Sequence, residues 1–168
     1  MSPKVMILMG SASDAETMRA AAAQLDALGV SWEAHVASAH RTPERVRQLV
    51  AAAEAAGVQV FVCGAGMAAH LAGVVAAHTV RPVIGVPLPG GLADGLDALL
   101  ATVQMPAGVP VATVAVGTAG AKNAAFLATQ ILALHDETLQ RRLFATRDES
   151  AAAVAAADAE LAARLGGV

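Results

Sequence analysis

Aromatic residues and cysteine are nearly absent from this sequence. Its 168 residues include one tryptophan, three phenylalanines, no tyrosine and one cysteine, Cys63. A lone cysteine excludes a disulfide-stapled scaffold and suits a reducing compartment, so we expect a cytoplasmic protein in which Cys63 is a small buried hydrophobe. The scarcity of aromatic side chains also disfavours a flavin site, because the flavin ring usually stacks against one.

Charge of either sign is scarce as well. Charged residues make up 15% of the chain, and the formal net charge is −3 with no run of lysine or arginine. Nucleic-acid and membrane-surface binding need such a run, so we expect neither. The apolar stretches are too short and too interrupted to predict a membrane-spanning helix, and the N-terminal stretch has the pattern of a first strand rather than a secretory signal. The hydrophobic fraction of 56% predicts that some apolar surface faces other copies of the chain.

Short apolar runs alternate with longer helical patterns along the chain. The runs predict five strands, at 4–9, 32–37, 58–63, 82–87 and 111–116. The segments between and after them predict helices at about 14–28, 43–56, 68–79, 92–104 and 120–135. This alternation predicts an α/β fold, a three-layer doubly wound parallel sheet of the flavodoxin-like type. Residues 136–168 read as a further helix, so we expect one domain over 1–168 with a helical C-terminal tail that docks on another subunit.

Signals at the helix ends agree with these boundaries. Ser13 and Glu16 have the spacing of a capping box at the start of the first helix. Thr42 followed by Pro43 predicts the start of the second helix. Gly29 and Gly57 predict where the first two helices end.

Polar side chains are concentrated in the turns that follow the first two predicted strands. In GSASD at 10–14, serine hydroxyls and helix amides suit a phosphate, and Asp14 suits ribose hydroxyls. The alternative is that Ser13 only caps a helix and Asp14 only interacts with its dipole. In SAHRTP at 38–43, Arg41 can hold a phosphate or a carboxylate, and His40 can carry protons near neutral pH. The alternative there is a solvated arginine and a histidine that happens to lie in a loop.

Ligands bind beyond the carboxyl ends of the strands in such sheets. The two polar turns therefore predict a pocket for a small phosphorylated ribose compound, with one histidine able to move protons. No cysteine and histidine spacing suggests zinc, and the residues predict neither a metal nor a cofactor.

A third turn, GAGMAA at 64–69, formally matches the dinucleotide fingerprint G-x-G-x-x-A. It follows the third strand rather than the first, and no acid lies about 20 residues further on. We interpret it as a glycine turn that lets backbone amides approach a small ligand. His70, directly after it, either lines the same pocket or is a structural histidine.

Five stretches of the chain together resemble one known family. They are MGSASD at 9–14, SAHRTPE at 38–44, GAGMAAHLAG at 64–73, VQMPAGVPV at 103–111 and GTAGAKNAA at 117–125. Over roughly residues 4 to 140, and in the same order, they resemble the class I PurE proteins, the N5-carboxyaminoimidazole ribonucleotide mutases of purine biosynthesis.

The resemblance implies an isomerase that needs no ATP, metal or organic cofactor. Such an enzyme moves a carboxyl group from an exocyclic nitrogen to a ring carbon, by decarboxylation and recarboxylation. His40 matches the family's catalytic histidine, which shuttles the proton. The resemblance further implies a homo-octamer in which the last helix packs on neighbouring subunits.

The resemblance also assigns the remaining site positions. Ser11 and Asp14 match contacts on the ribose side. Those on the phosphate side are Ser13, Ser38 and Arg41, with Ala39 among the binding positions. The wall around the carboxylate and carbon dioxide is formed by Gly64, Ala65, Gly66, His70 and Leu71.

The chain departs from the family pattern at four positions. Met67 stands where the family has glycine, Ala72 where it has proline, and Gly90 and Ala98 where it has serine. These changes concern the lid over the carboxylate end and leave the nucleotide-binding positions intact. Two alternatives remain: a class II carboxylase that uses carbon dioxide directly, disfavoured by Arg41 and His70, and a non-catalytic nucleotide-binding module, disfavoured by His40.

Overall fold

Five parallel strands in the order β2-β1-β3-β4-β5 form the centre of the computed structural model, which describes residues 2–166. The strands are β1, Val5–Met9; β2, Trp32–Val36; β3, Val60–Ala65; β4, Val83–Pro87; and β5, Ala112–Thr113. The helices are α1, Ala15–Leu28; α2, Pro43–Ala56; α3, Leu71–His78; α4, Leu96–Val103; α5, Gly117–Ala133; and α6, Glu137–Leu165. The predicted flavodoxin-like sheet is confirmed, since this is the strand order of that fold.

The central strands are covered on both faces. Val5 and Ile7 of β1 pack on one side in a core shared with α1 and α5, whereas Met6 and Leu8 pack on the other side with α2 and α3. Every residue of β1 and β4 is buried, and so are the first five of β3. Parallel strands between two helical layers have this near-continuous apolar character, which explains why the runs were recognisable in the sequence.

The first capping box lies two residues earlier than predicted. Ser11 is the cap of a 3₁₀ turn, Ala12–Asp14; its side chain accepts a hydrogen bond from the Ser13 amide, while the Asp14 side chain accepts one from the Ser11 amide. The predicted box of Ser13 and Glu16 was therefore wrong, because this extra turn precedes α1. The predicted ends of α1 and α2 are confirmed: Gly29 and Gly57 adopt left-handed conformations, with φ of 69° and 93°.

The helix predicted at 92–104 is interrupted, and that prediction was wrong. Ala93 and Asp94 have φ of 46° and 51°, so only Leu96–Val103 is a regular α-helix. Side chains stabilise the irregular loop: Asp94 Oδ1 accepts from the Gly90 amide at 3.1 Å and Asp97 Oδ2 accepts from the Leu92 amide at 3.0 Å. The last strand, β5, is also shorter than the predicted run at 111–116.

The long helix α6 contacts the rest of the chain mainly through its first turns. Leu139 is the one buried residue among its described positions. Arg142 Nη1 donates to the carbonyl of Leu28, the last residue of α1, at 2.8 Å. Gly29 permits this contact, because a Cβ atom at that position would overlap the Arg142 guanidinium. Of the tail predicted over 136–168, residues 167 and 168 lie outside the described residues, as does residue 1.

No helix within residues 2–166 is both long enough and apolar enough to cross a bilayer.

Candidate functional site

A cavity of about 630 Å³ opens where the strand order reverses, between β1 and β3. Its walls come from the turns at the carboxyl ends of four strands, at 10–14, 38–41, 65–71 and 88–91. Reversal of strand order leaves a crevice at this edge of a doubly wound sheet, and ligand sites of this class lie there. The volume is typical of a pocket for a small molecule.

The turn after β1 places two hydroxyls and a carboxylate at the cavity. The Ser11 amide donates to Asp14 Oδ2 at 2.8 Å, and the Ser13 hydroxyl donates to the Ser11 hydroxyl oxygen at 2.9 Å. Burial raises the pKa of Asp14, an effect that the Ser11 amide and the Arg41 charge only partly oppose. A carboxylate that is partly desolvated in this way gains from accepting hydrogen bonds of ligand hydroxyls.

Arg41 lies between the turns that follow β2 and β1. Its Nε donates to the Ser38 hydroxyl oxygen at 3.3 Å, and its Nη2 donates to the Gly10 carbonyl at 3.0 Å. Thr42 closes the turn by accepting from the Ser38 amide at 3.0 Å and donating to the Ser38 carbonyl at 3.1 Å. The guanidinium is thus held at the cavity before any anion arrives, with N–H groups left to bind one.

His40 and His70 meet at the cavity although 30 positions separate them in the sequence. Nε2 of His40 lies 2.7 Å from Nδ1 of His70, and the two rings are arranged edge to face, with centroids 4.8 Å apart and planes at 74°. His70 therefore lines the pocket, which was one of the two alternatives for it. Imidazole nitrogens accept and donate protons near neutral pH, so the pair brings two such groups to one place in the cavity.

Gly64 is the one predicted site residue that does not line the cavity. It belongs to β3, where its carbonyl accepts from the Gly10 amide at 3.2 Å. A Cβ atom at this position would lie 2.5 Å from Sδ of Met18 in α1. The glycine lets the helix approach the sheet, whereas Ala65 and Gly66 face the cavity.

Seven further residues line the cavity that the sequence did not assign as binding positions: Gly10, Met67, Ala68, Leu88, Pro89, Gly90 and Gly91. Met67 has φ of 55° and is 66% exposed, an unusual conformation for a residue other than glycine. The signal that points to the turn after β4 is the rule that ligands bind at the carboxyl ends of parallel strands, because this turn follows a fully buried apolar strand.

The one cysteine of the chain lies outside the cavity. Cys63 is buried in β3, and burial raises the pKa of its thiol well above the usual range, so it is inert as predicted. Within residues 2–166, no three histidine, cysteine or acidic side chains are arranged to hold a metal ion.

The fold and the cavity together define a doubly wound α/β protein with a polar small-molecule site at the reversal of strand order. The chain belongs to the AIR carboxylase family, whose model matches residues 4–165. The resemblance found in the sequence is thereby confirmed.

Known relatives agree with this family. The chain is 54% identical over 143 residues to the N5-carboxyaminoimidazole ribonucleotide mutase of Brucella melitensis, a match that covers 85% of this chain and 88% of the relative. It is 52% identical over 159 residues to the mutase of the same name from Mycobacterium tuberculosis, covering 95% and 90%. The crystal structure of Treponema denticola PurE matches with a TM-score of 0.87 at 29% identity, covering 95% of this chain and 98% of that one.

Proposed function

We propose that this chain converts N5-carboxyaminoimidazole ribonucleotide into 4-carboxy-5-aminoimidazole ribonucleotide, a step of de novo purine biosynthesis. Relatives that share about half of its sequence over most of its length are named N5-carboxyaminoimidazole ribonucleotide mutase. The observation that supports the proposal best is the adjacency of His40 and Arg41 on one turn, because it puts a proton carrier next to an anion-binding cation at the same cavity.

The polar turns suit the two ends of the ribonucleotide. Arg41, Ser38 and Ser13 bind the phosphate, since a held guanidinium and two hydroxyls offer charge-assisted and neutral donors. Asp14 and Ser11 bind the ribose hydroxyls. The base then extends toward His40, His70 and the wall formed by Ala65, Gly66 and Leu71, with Ala39 beside His40.

The chemistry needs one proton carrier and a place that keeps carbon dioxide. The bond between the exocyclic nitrogen and the carboxyl carbon breaks, its electron pair stays on nitrogen, and that nitrogen takes a proton from His40. The ring carbon then forms a bond to the same carbon dioxide molecule, and His40 removes the hydrogen of that carbon as a proton. His40 ends as it began, so the cycle needs no ATP or cofactor. Holding carbon dioxide against the ring makes the second step effectively intramolecular.

We further propose that the chain works in the cytoplasm as a homo-octamer in which the tail, residues 136–168, packs on neighbouring subunits. Exposed apolar side chains along α6 support this assembly: Val154 is 71% exposed, Leu161 51% and Leu165 75%. A helix of 29 residues with one buried position has little else to stabilise its far end. Sedimentation of the full chain gives the mass, and a shift to smaller species in Leu161→Glu tests the role of the tail.

The decisive experiment mixes the purified protein with N5-carboxyaminoimidazole ribonucleotide, without ATP or metal, and follows formation of the carbon-carboxylated isomer. We expect rapid conversion by the wild type and none by His40→Asn. The control is His78→Asn, which removes an exposed histidine at the end of α3 and should leave the rate unchanged. Binding without conversion would instead indicate a nucleotide-binding module, and conversion of aminoimidazole ribonucleotide with bicarbonate alone would indicate a class II carboxylase.

A further inference from the structure

We propose that His70 is the positioning residue for His40, holding Nε2 of that ring so that Nδ1 is the nitrogen that exchanges protons with the substrate. The inference rests on the proposed function, because it gives His70 a task within that reaction. It starts from one contact, the 2.7 Å approach of His40 Nε2 to His70 Nδ1.

The two histidines differ in how firmly they are anchored. His70 caps α3: its amide donates to the Ala68 carbonyl at 2.8 Å, and its carbonyl accepts from the Val74 amide at 2.9 Å. Its chain neighbours Ala69 and Leu71 are each only 1% exposed. His70 therefore sits on a fixed piece of backbone at the edge of the core.

His40 has no comparable backbone support: both rings are exposed, but within residues 2–166 the amide and carbonyl of His40 take part in no backbone–backbone hydrogen bond. It lies in the exposed turn after β2, and within residues 2–166 the contact with His70 is the one hydrogen bond that its ring makes. A free imidazole rotates between several orientations, and restricting it to one has an unfavourable entropy. A hydrogen bond to a partner can offset that cost. His70 supplies the partner, so its loss would leave His40 present but misaligned.

The shared contact also decides which nitrogen of His40 reacts. One hydrogen lies between the two nitrogens. When His40 carries hydrogens on both of its nitrogens, Nε2–H donates and Nδ1 of His70 accepts, which requires the hydrogen of a neutral His70 to be on Nε2. Nδ1–H of His40 is then a donor without a hydrogen-bond partner among residues 2–166.

The proton balance of the reaction follows from this arrangement. His40 gives the Nδ1 proton to the substrate nitrogen as the carboxyl group leaves, and it keeps Nε2–H in the bond to His70. The lone pair on Nδ1 later takes the proton from the ring carbon. The same nitrogen thus gives and receives, and no proton passes to His70 or to water during the cycle.

Two substitutions separate positioning from carboxylate binding. His70→Leu keeps a side chain of similar bulk but removes the acceptor, whereas the amide oxygen of His70→Asn can take the place of Nδ1. If His70 positions His40, the leucine variant loses about 10²-fold in kcat with KM changed by less than about threefold, because misplacing a catalytic group affects the step rather than binding. The asparagine variant then recovers at least about tenfold of that loss.

The opposite pattern of changes in kcat and KM would overturn the proposal. A leucine variant with wild-type kcat and a raised KM would assign His70 to substrate binding instead. Equal loss of kcat in the leucine and asparagine variants would show that the acceptor is not what matters.

A second measurement needs no turnover. Nitrogen-15 spectra of the histidine rings in the unliganded protein, assigned with His40→Asn, should show His40 in the Nε2–H form when neutral. That form should persist in His70→Asn and give way to a mixture in His70→Leu, whereas His78→Asn should leave the His40 signals unchanged. A neutral His40 protonated at Nδ1, or unaltered signals in His70→Leu, would overturn the proposal. If the wild type fails to convert the substrate, the proposed function fails and the catalytic task of His70 fails with it, whereas these spectra still decide separately whether the two rings pair as described.

Discussion

The Arg41 guanidinium is bonded through Nη2 to the carbonyl of Gly10 at 3.0 Å, which joins the turn after β2 to the turn after β1. These two turns carry most of the polar groups of the site. The cation therefore holds the two turns together, and in the proposed function it also binds the phosphate of the substrate. Changing Arg41 should affect both roles at once.

Arg41→Lys is expected to lower kcat/KM by about 10- to 100-fold. A lysine keeps the positive charge but cannot bond Ser38 and Gly10 together, and charge-assisted hydrogen bonds of this kind contribute about 1.5–3 kcal/mol each. Steady-state kinetics on the purified variant measures the effect. Arg47→Lys is the matched control, because Arg47 pairs with Glu44 on the exposed surface of α2 and should change kcat/KM by less than about twofold. Similar losses in the two variants would argue against a special role for Arg41.

Asp14→Asn should weaken substrate binding without weakening the fold. Burial raises the pKa of this carboxyl, so the folded chain binds the proton more tightly than the unfolded chain does. The ionised form therefore opposes folding above the raised pKa, and this cost disappears as the pH falls below the unfolded value, about 3.9. At pH 7 the variant should be as stable as the wild type or more so, with kcat/KM reduced about tenfold by the loss of a charged acceptor.

Urea unfolding of the Asp14→Asn variant and the wild type at pH 7 and near pH 3.5 checks the direction in which this carboxyl changes the stability with pH. The stability difference should shrink at the lower pH. Glu137→Gln is the contrasting change, because it removes an exposed ion pair with Arg141, and there the wild type should be the slightly more stable protein at pH 7. A wild type that is more stable than Asp14→Asn at pH 7 would contradict the argument.

Gly64→Ala should affect stability more than catalysis. The new methyl group would meet the flexible end of Met18 at 2.5 Å, and overpacking of this kind destabilises by about 1–3 kcal/mol. Gly120→Ala should be worse, because there the methyl group would overlap the backbone carbonyl of Ala115, which cannot move aside. Urea unfolding ranks the two variants. A Gly64→Ala protein of normal stability but raised KM would indicate that Gly64 belongs to the pocket wall after all.

Met67→Gly should leave the free energy of unfolding unchanged or slightly raised. A left-handed conformation is unfavourable by about 1–2 kcal/mol for a residue with a Cβ atom, and the greater freedom of an unfolded glycine offsets roughly half of that gain. The Met67 side chain is mostly exposed, so little packing is lost. Met18→Ala is the contrasting change, since Met18 is 1% exposed and its truncation should cost about 2–5 kcal/mol. A loss above about 1 kcal/mol in Met67→Gly would mean that the exposed methionine packs after all.

The sheet and the location of the site were predictable because both follow from simple periodicities. Buried parallel strands read as continuous apolar runs, and the polar turns at their carboxyl ends meet at one edge of the sheet. Ser11, Asp14, His40 and Arg41 all line one cavity for this reason. Gly29 and Gly57, which end α1 and α2, could be identified because a left-handed C-cap strongly favours glycine.

The predictions that were wrong lie where side-chain hydrogen bonds to the backbone, rather than the spacing of residues in the sequence, determine the local structure. Ser13 and Glu16 have the spacing of a capping box, yet Ser11 and Asp14 form the actual one around a preceding 3₁₀ turn. The helical pattern at 92–104 hides a loop in which Asp94 and Asp97 bind backbone amides. Spacing alone cannot distinguish such alternatives, because the competing hydrogen bonds have similar energies.

The pairing of His40 with His70 was beyond the reach of sequence for a different reason. Each residue could be assigned to a turn, but the distance between two turns depends on how β1, β2 and β3 are spaced and twisted in the sheet. That geometry is a property of the assembled fold.

Gly29 sets the direction of α6 at a place well separated from the cavity. It lies at the end of α1, at the edge of the sheet opposite the cavity, where the absence of a methyl group admits the Arg142 side chain that orients α6. A substitution there would alter the direction in which α6 leaves the rest of the chain, while the turns that line the cavity stay as they are. In the proposed assembly, a change at this position would therefore affect how subunits fit together, whereas a change at the cavity would affect how fast each one turns over substrate.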